Sequence, residues 1–241
     1  MKQTLQEFKE AVTALDTEIT DYYKPFETES RSIISDGVVN EEEYYNASPK
    51  IMWILKEPYD DGDDIGGGWS LTKDLLALDN VYERLIPSRS TWRPIMYSTW
   101  GIMNGYLKWD SIPDLKDKPD IGRILRKIAF INVQKLAAST KSYDPIIREA
   151  YHENKEILLK QIEVYNPDII IGGSVLPFFF KDLGLTDAKR VVENNDYTFI
   201  SNGKLYINSY HPSQTQETHE SFCSGIIQAA KDWHEKSTIP S

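Results

Sequence analysis

The sequence predicts an α/β protein of three layers, α/β/α, with a central and mainly parallel sheet. Two observations lead there. Apolar runs at residues 50–55, 128–133 and 168–171 have strand length and no polar alternation, which suits parallel strands covered on both faces. Between them lie longer stretches with apolar residues at three- and four-residue spacing, the helical period. Strands alternating with helices imply crossover connections, and these put helices on both sides of the sheet.

The first element is an amphipathic helix. Leu5, Phe8, Val12, Leu15 and Ile19 recur on one face, and Thr4 with Glu7 makes a capping-box pattern at its start. Residues 24–49 are polar, with Glu41-Glu42-Glu43 in their middle, and read as a surface connection. The strand at 50–55 leads into a loop from Asp60 to Trp69 that contains Gly66-Gly67-Gly68. Helical patterns come next at 70–85 and 93–108, then the strand at 128–133. Asp144-Pro145 reads as an N-cap and first-turn proline. The helix it opens carries Ile147, Tyr151, Leu158, Ile162 and Tyr165 on one face, and Asn166-Pro167 stops it. The strand at 168–171 ends at Gly172-Gly173-Ser174. Residues 197–200 and 204–207 form a hairpin around Asn202-Gly203, a type I′ turn signal. A last helix presents Phe222, Ile226, Ala230 and Trp233. With no internal repeat, low-complexity tract or clear linker, residues 1–241 are expected to form one domain. Its parts are an N-terminal helix and surface connection (1–49) and a core (50–235).

Composition narrows the class. Hydrophobic content of 40% and charged content of 27% are ordinary for a soluble globular chain. No apolar run approaches the roughly 18–20 residues of a membrane helix. The start, Met1-Lys2-Gln3-Thr4, lacks a secretory hydrophobic region. A single cysteine, Cys223, excludes an intrachain disulfide framework and a cysteine-only metal site. A cytoplasmic location is expected. The net charge of −10 argues against bulk binding to polyphosphate, while leaving room for a local basic footprint.

Two short motifs share one grammar. Glu57-Pro58-Tyr59 comes after the apolar run ending at Leu55, and His211-Pro212-Ser213 comes after Leu205-Tyr206-Ile207. Each sets a proton-handling side chain and a proline where a buried strand ends, and the carboxyl ends of strands are where open α/β sheets bind ligands. A carboxylate and an imidazole meeting there can do acid, base or electrostatic chemistry. Taken singly, Glu57 also fits a solvated or capping role, and Ser213 fits a turn cap. His152, His219 and His234 fall in helical stretches and read as surface residues. Asn132 ends the strand Ala129-Phe130-Ile131. A buried Asn needs partners for both donor and acceptor, which neighbouring backbone or a nucleobase edge supplies. Gly66-Gly67-Gly68 is either a flexible loop or a phosphate cradle, without the ending of a P-loop. Trp69 is either core or a face on which a base stacks. Arg84, Arg89 and Arg93 interleave with Tyr82, Trp92 and Tyr97, as a nucleic-acid backbone contact or an ordinary helix surface would. No pair of histidines has metal-ligand spacing.

In order and spacing these pieces resemble the uracil-DNA glycosylase superfamily over roughly residues 50–235. Leu55-Lys56-Glu57-Pro58-Tyr59 stands where that family has Gly-Gln-Asp-Pro-Tyr. Trp69 stands where it has a base-stacking aromatic. Leu78-Asp79-Asn80-Val81-Tyr82-Glu83-Arg84-Leu85 is similar to a Leu-Glu-Asn-Ile-Tyr-Lys-Glu-Leu segment. Phe130-Ile131-Asn132 is similar to the strand ending in the uracil-reading Asn, Ile171-Gly172-Gly173-Ser174 to a strand entering Gly-Ser, and His211-Pro212-Ser213 to the His-Pro-Ser motif. The chain departs from the family at Leu55 and at Glu57, one methylene longer than Asp. It also has Gln214-Thr215-Gln216 where the family often has an apolar wedge, and no recognisable Pro-rich phosphate loop.

The resemblance implies an N-glycosylase-like enzyme that removes uracil or a related damaged base from DNA, single-stranded DNA included, with no metal or organic cofactor. Glu57 and His211 would be catalytic. Tyr59, Trp69, Asn132 and Ser213 would bind the substrate, and Arg84, Arg89, Arg93 and Ser174 would be candidate backbone contacts. Tyr59 would wall the pocket near C5 of the base. Two rival readings keep the same site: a non-catalytic nucleobase or single-stranded nucleic-acid binding protein on this fold, and a hydrolase of a nucleoside-like small molecule.

Overall fold

The computed structural model describes residues 3–28, 31–58, 60, 66–77, 79–80, 83, 85, 89–137, 143–186, 189–190 and 197–238. Its strands are β1 (Gly37–Val38), β2 (Ile51–Leu55), β3 (Ile128–Asn132), β4 (Ile169–Gly173), β5 (Lys189–Arg190), β6 (Thr198–Ser201) and β7 (Lys204–Ser209). They form one sheet in the order β1-β3-β2-β4-β7-β6-β5. The four central strands, β3-β2-β4-β7, are parallel, and antiparallel pairings add β1 at one edge and β6 and β5 at the other. Helices α1 (Leu5–Tyr23), α2 (Glu41–Tyr45), α3 (Arg89–Met103), α4 (Asp144–Tyr165), α5 (Leu176–Phe179) and α6 (His219–Thr238) accompany it.

The layers arise from the pleat, which sends alternate side chains to opposite faces. Ile51, Trp53 and Leu55 of β2 and Ile128 and Phe130 of β3 pack in one core with α3 and α6 residues such as Trp92, Ile95, Phe222 and Ile226. Met52, Ile54, Ala129 and Ile131 face the other way, into a second core with α1, α4 and α5. Every residue of β2 is buried, which is why its run shows no alternation. Burial of each such Leu or Ile stabilises the fold by about 1.5–3 kcal/mol relative to exposure. Trp53 also donates its Nε1–H to Thr99 Oγ1 at 3.3 Å, so its one polar atom is satisfied inside the core. No helix among the described residues is long and apolar enough to cross a membrane.

Helix α1 has the expected capping box, and Phe8, Val12, Leu15 and Ile19 are buried. The Asn202-Gly203 turn has positive φ at both residues, 51° and 76°, as a type I′ turn requires. Asn166 closes α4 in the left-handed region at φ 45°.

Other expectations are corrected. Residues 24–49 are not a surface connection: Ile34 and Tyr44 are wholly buried, and Ile33, Asp36, Val38 and Val39 nearly so. Gly37–Val38 adds a strand to the sheet. Asp144 is not the N-cap; it lies inside the first turn of α4, and its carboxylate accepts from Lys56 Nζ at 2.6 Å. The helix expected at 70–85 is a π-helical turn at Leu71–Leu76, and positions 78, 81–82 and 84 of that stretch lie outside the described residues. The next helix begins earlier and stops at Met103, because Gly105 and Tyr106 take positive φ.

Candidate functional site

Parallel pairing delivers all four central strands to one edge of the sheet. Leu55 pairs with Asn132, Ile54 with Gly172, and Gly173 with Ser209, so the strand ends are level. Adjacent parallel strands stand about 4.8 Å apart. Glu57 and His211 each lie two residues past this row, and Asn132 lies on it. The three side chains named from the sequence therefore leave the same edge, from β2, β7 and β3.

The β2–β3 ladder continues past the strands. Val133 N–H donates to Leu55 C=O and Gln134 N–H to Lys56 C=O, both at 2.9 Å. That pairing carries Glu57 out over the edge, with Pro58 buried behind it. Glu57 Oε1 is buried and has no hydrogen-bond partner. Asn132 is 2% exposed, and its Nδ2 is likewise buried without a partner. Unpaired buried polar atoms cost about 1–3 kcal/mol each, and two of them at one sheet edge call for an explanation.

His211 reaches the same edge by a different route. An added Cβ on Gly173 would lie 3.2 Å from Pro212 Cδ and 3.5 Å from His211 Cα, so the turn rests directly on the end of β4. Ser174, at φ 63°, accepts the His211 N–H on its Oγ at 2.9 Å. Its hydroxyl thus fixes the histidine backbone, and its N–H donates to Ser209 C=O at 2.8 Å. Ser213 Oγ lies 2.8 Å from His211 Nδ1, and the Ser213 N–H donates to that nitrogen at 3.3 Å. Nδ1 is therefore an acceptor, and the imidazole proton sits on Nε2. Burial, helped by the Lys56 charge, brings the His211 pKa down to about 4. The ring is neutral at pH 7 and presents one N–H.

After β2, Asp60 and residues 66–69 are tied down by polar contacts. Asp60 Oδ2 accepts from Gly67 N–H at 2.8 Å and from Trp69 Nε1–H at 2.9 Å. Gly68 N–H donates to Ile33 C=O. A Cβ at Gly67 would stand 2.1 Å from Ser32 O, and its φ is +96°. Gly67 and Gly68 thus form a close backbone seam, and their amides are engaged within the protein and not turned to a phosphate. Trp69 is half-buried, with its ring against the core below β2. Tyr59, expected to wall the pocket, lies outside the described residues.

The arginine stretch reads differently in three dimensions. Trp92 and Tyr97 are core residues; Trp92 packs on Phe130 and Tyr97 OH accepts from Leu115 N–H. Arg93 donates to Tyr97 OH and to Asp114 Oδ2, both at 3.2 Å, so its charge is paired within the protein. Arg84 and the Arg89 side chain lie outside the described residues. His152 and His234 are exposed on helices, whereas His219 is half-buried and its pKa is lowered by burial and by Arg93. Among the described residues no cluster of His, Cys, Asp or Glu could hold a metal ion. Cys223 is buried and its thiol is pushed up to about 12 by desolvation.

Sequence reasoning missed one feature behind the site. Asp36 and Lys135 form an ion pair at 2.7 Å, with side chains 1% and 0% exposed. Burial lowers the Lys135 pKa, and Asp36 opposes that. Neither residue belongs to a motif, and 99 positions separate them. No protein-family model and no curated protein matches this chain.

Proposed function

We propose that this protein is a base-excision N-glycosylase acting on uracil or a related base in DNA, on a fold like that of the uracil-DNA glycosylases. The observation that carries the reading is the pair of orphaned buried atoms, Glu57 Oε1 and Asn132 Nδ2, at the sheet edge where a neutral His211 also arrives. A flat heterocycle with acceptor oxygens satisfies the amide, and a cationic sugar or an oriented water satisfies the carboxylate.

The role of each group comes from its chemistry. Asn132 reads the base edge: its Nδ2 donates to O4 of uracil and its Oδ1 accepts from N3–H. Cytosine reverses that pattern and leaves buried groups unpaired at about 1–3 kcal/mol each. Breaking the bond between base and deoxyribose leaves negative charge on the base and positive charge on the sugar. His211 donates its Nε2–H to the base oxygen where that charge gathers. A neutral donor suits the task, and Ser213 holds the tautomer that supplies it. Glu57, as carboxylate, faces the sugar and orients the attacking water. Ser174 acts on the protein itself, by holding the His211 backbone. The base must leave the stack first, at a cost of a few kcal/mol in duplex and less in single strands.

The test is to incubate the protein with single- and double-stranded uracil oligonucleotides and cleave abasic sites with alkali. The expected result is strand breaks that fall by about 100–1000-fold in Glu57→Gln and in His211→Ala. Intact DNA with base-dependent binding would instead mark a non-catalytic nucleobase-binding protein, the reading that the altered motif at Leu55 and Glu57 favours.

A further inference from the structure

We infer that Asp36, Lys135 and Gln161 are positioning residues that lock both backbone groups of Asn132, so that its carboxamide is held ready for a base; this rests on the base-reading role proposed above. In β3 the N–H and C=O of Asn132 point away from β2, because the flanking Val133 N–H bonds toward β2. The strand on that side, β1, pairs with Phe130 and Ala129 and reaches no further. The backbone of Asn132 thus emerges where the ladder has ended. Side chains take over. Asp36 Oδ2 accepts the Asn132 N–H at 2.7 Å, and Lys135 Nζ donates to Asn132 C=O at 3.2 Å. Lys135 Nζ also binds both Asp36 oxygens, at 2.7 and 2.8 Å. Gln161 Nε2, from α4, donates to Asp36 Oδ1 at 3.0 Å.

Stability alone does not account for this cluster. A buried ion pair is commonly no better for stability than apolar residues of similar volume. Gln161 also leaves its own Oε1 buried without a partner. The cluster does secure one geometry for residue 132. The two bonds fall on the peptide units either side of Cα132 and so fix the direction in which its side chain leaves the strand, and a misplacement of about 1 Å in such a group costs on the order of 100-fold in rate.

The variant Gln161→Met separates positioning from stability, since it removes an orphaned acceptor together with one donor to Asp36 and a long, 3.4 Å bond to Tyr165 OH. Its Tm should be unchanged or raised, while its Kd for free uracil weakens about three- to tenfold, one hydrogen bond's worth. Lys135→Met removes the bond to Asn132 C=O directly and should weaken uracil more. In ¹⁵N spectra both variants should shift the Asn132 backbone amide and lower the order parameter of its side-chain amide. Unchanged Asn132 signals and unchanged uracil affinity in folded Gln161→Met and Lys135→Met would overturn the inference. If Lys135→Met does not fold, Gln161→Met decides alone. If uracil leaves the wild-type Asn132 side-chain signals unmoved, the base-reading role fails. The order parameters then still decide whether the cluster holds Asn132.

Discussion

Replacing Gly173 by alanine puts the seating of His211 under direct test. The new Cβ would stand 2.4 Å from Leu55 Cδ2 and 3.2 Å from Pro212 Cδ. The leucine methyl is the end of a flexible side chain, yet Leu55 is only 3% exposed and has little room to turn. Pro212 is a stiff, buried ring next to His211 in the chain, so it must move by a few tenths of an ångström and take His211 with it. Overpacking of this kind costs about 1–3 kcal/mol. For a chain of this size each kcal/mol lowers Tm by about 2–4 °C, so a fall of about 2–12 °C is expected by circular dichroism. Under the glycosylase function proposed above, the rate on a uracil oligonucleotide should also fall by about three- to tenfold, since a full 1 Å misplacement costs on the order of 100-fold.

Gly225 of α6 is the control. A Cβ there meets nothing within 4 Å. Gly225→Ala should therefore gain about 0.5–1 kcal/mol from helix propensity and raise Tm slightly. Equal Tm changes in the two variants, or a Gly173→Ala chain with wild-type Tm and unmoved His211 ring signals, would refute the claim that the turn rests on the end of β4.

The electrostatics and the loop contacts set three further outcomes. His211 should titrate near pH 4 in ring-proton spectra, and a midpoint near 6.5 would contradict its burial beside Lys56. Because its pKa is lowered on folding, its stabilising contribution is present above about pH 6.5 and is lost as pH falls toward 4. Asp16 behaves oppositely: burial raises its pKa from 3.8 to about 6, against the pull of Lys73. Its contribution is complete below pH 3.8 and is lost as pH rises through about 6. With the side chain 35% exposed and solvent screening allowed for, the penalty at pH 7.5 is about 1–2 kcal/mol. Asp16→Asn should raise Tm at pH 7.5 and have little effect near pH 4.5; an equal gain at both would remove Asp16 as the cause. Asp60→Ala should lower Tm and, under the proposed base-binding role of Trp69, weaken uracil binding with it, because it strips the acceptor from Gly67 N–H and Trp69 Nε1–H. Loss of about 1–3 kcal/mol is expected from unfolding curves.

The central strands were legible in the sequence because burial on both faces leaves an unbroken apolar run, as in Ile51–Leu55 and Ile128–Asn132. Their shared edge was legible too, since parallel strands with crossover helices must all end on one side. The segment 31–39 was not. Its apolar residues come in pairs, Ile33-Ile34 and Val38-Val39, set among polar ones, and match neither period. It is buried through hydrogen bonding on two flanks. Ser32 and Ser35 N–H donate to Gly66 and Trp69 C=O on one side, and Ile34 N–H donates to Lys135 C=O on the other. Such pairing depends on partners about 35 and 100 positions away, as the Ser35–Ser70 and Ile33–Leu136 bridges illustrate. The alternation of arginine and aromatic residues around Arg93 misled for the converse reason. A helix of period 3.6 sends Trp92 and Tyr97 inward, so neighbours in sequence do not share a surface.

That same segment explains why the site can keep polar atoms unpaired. Residues 31–36 are bonded both to the loop that carries Trp69 and to the chain just after Asn132. One strip of backbone therefore holds the stacking ring candidate and the amide in a fixed relation, and Asp36 at its end adds the bond to Asn132 N–H. A looser edge would let Asn132 turn its amide onto a neighbouring carbonyl and relieve the cost, as an Asn at a strand end ordinarily does. Holding the orphaned Nδ2 in place requires that such relaxation be limited, and the bonds on both backbone atoms of residue 132 contribute by fixing where its Cβ points, and so which carbonyls its side-chain amide can reach.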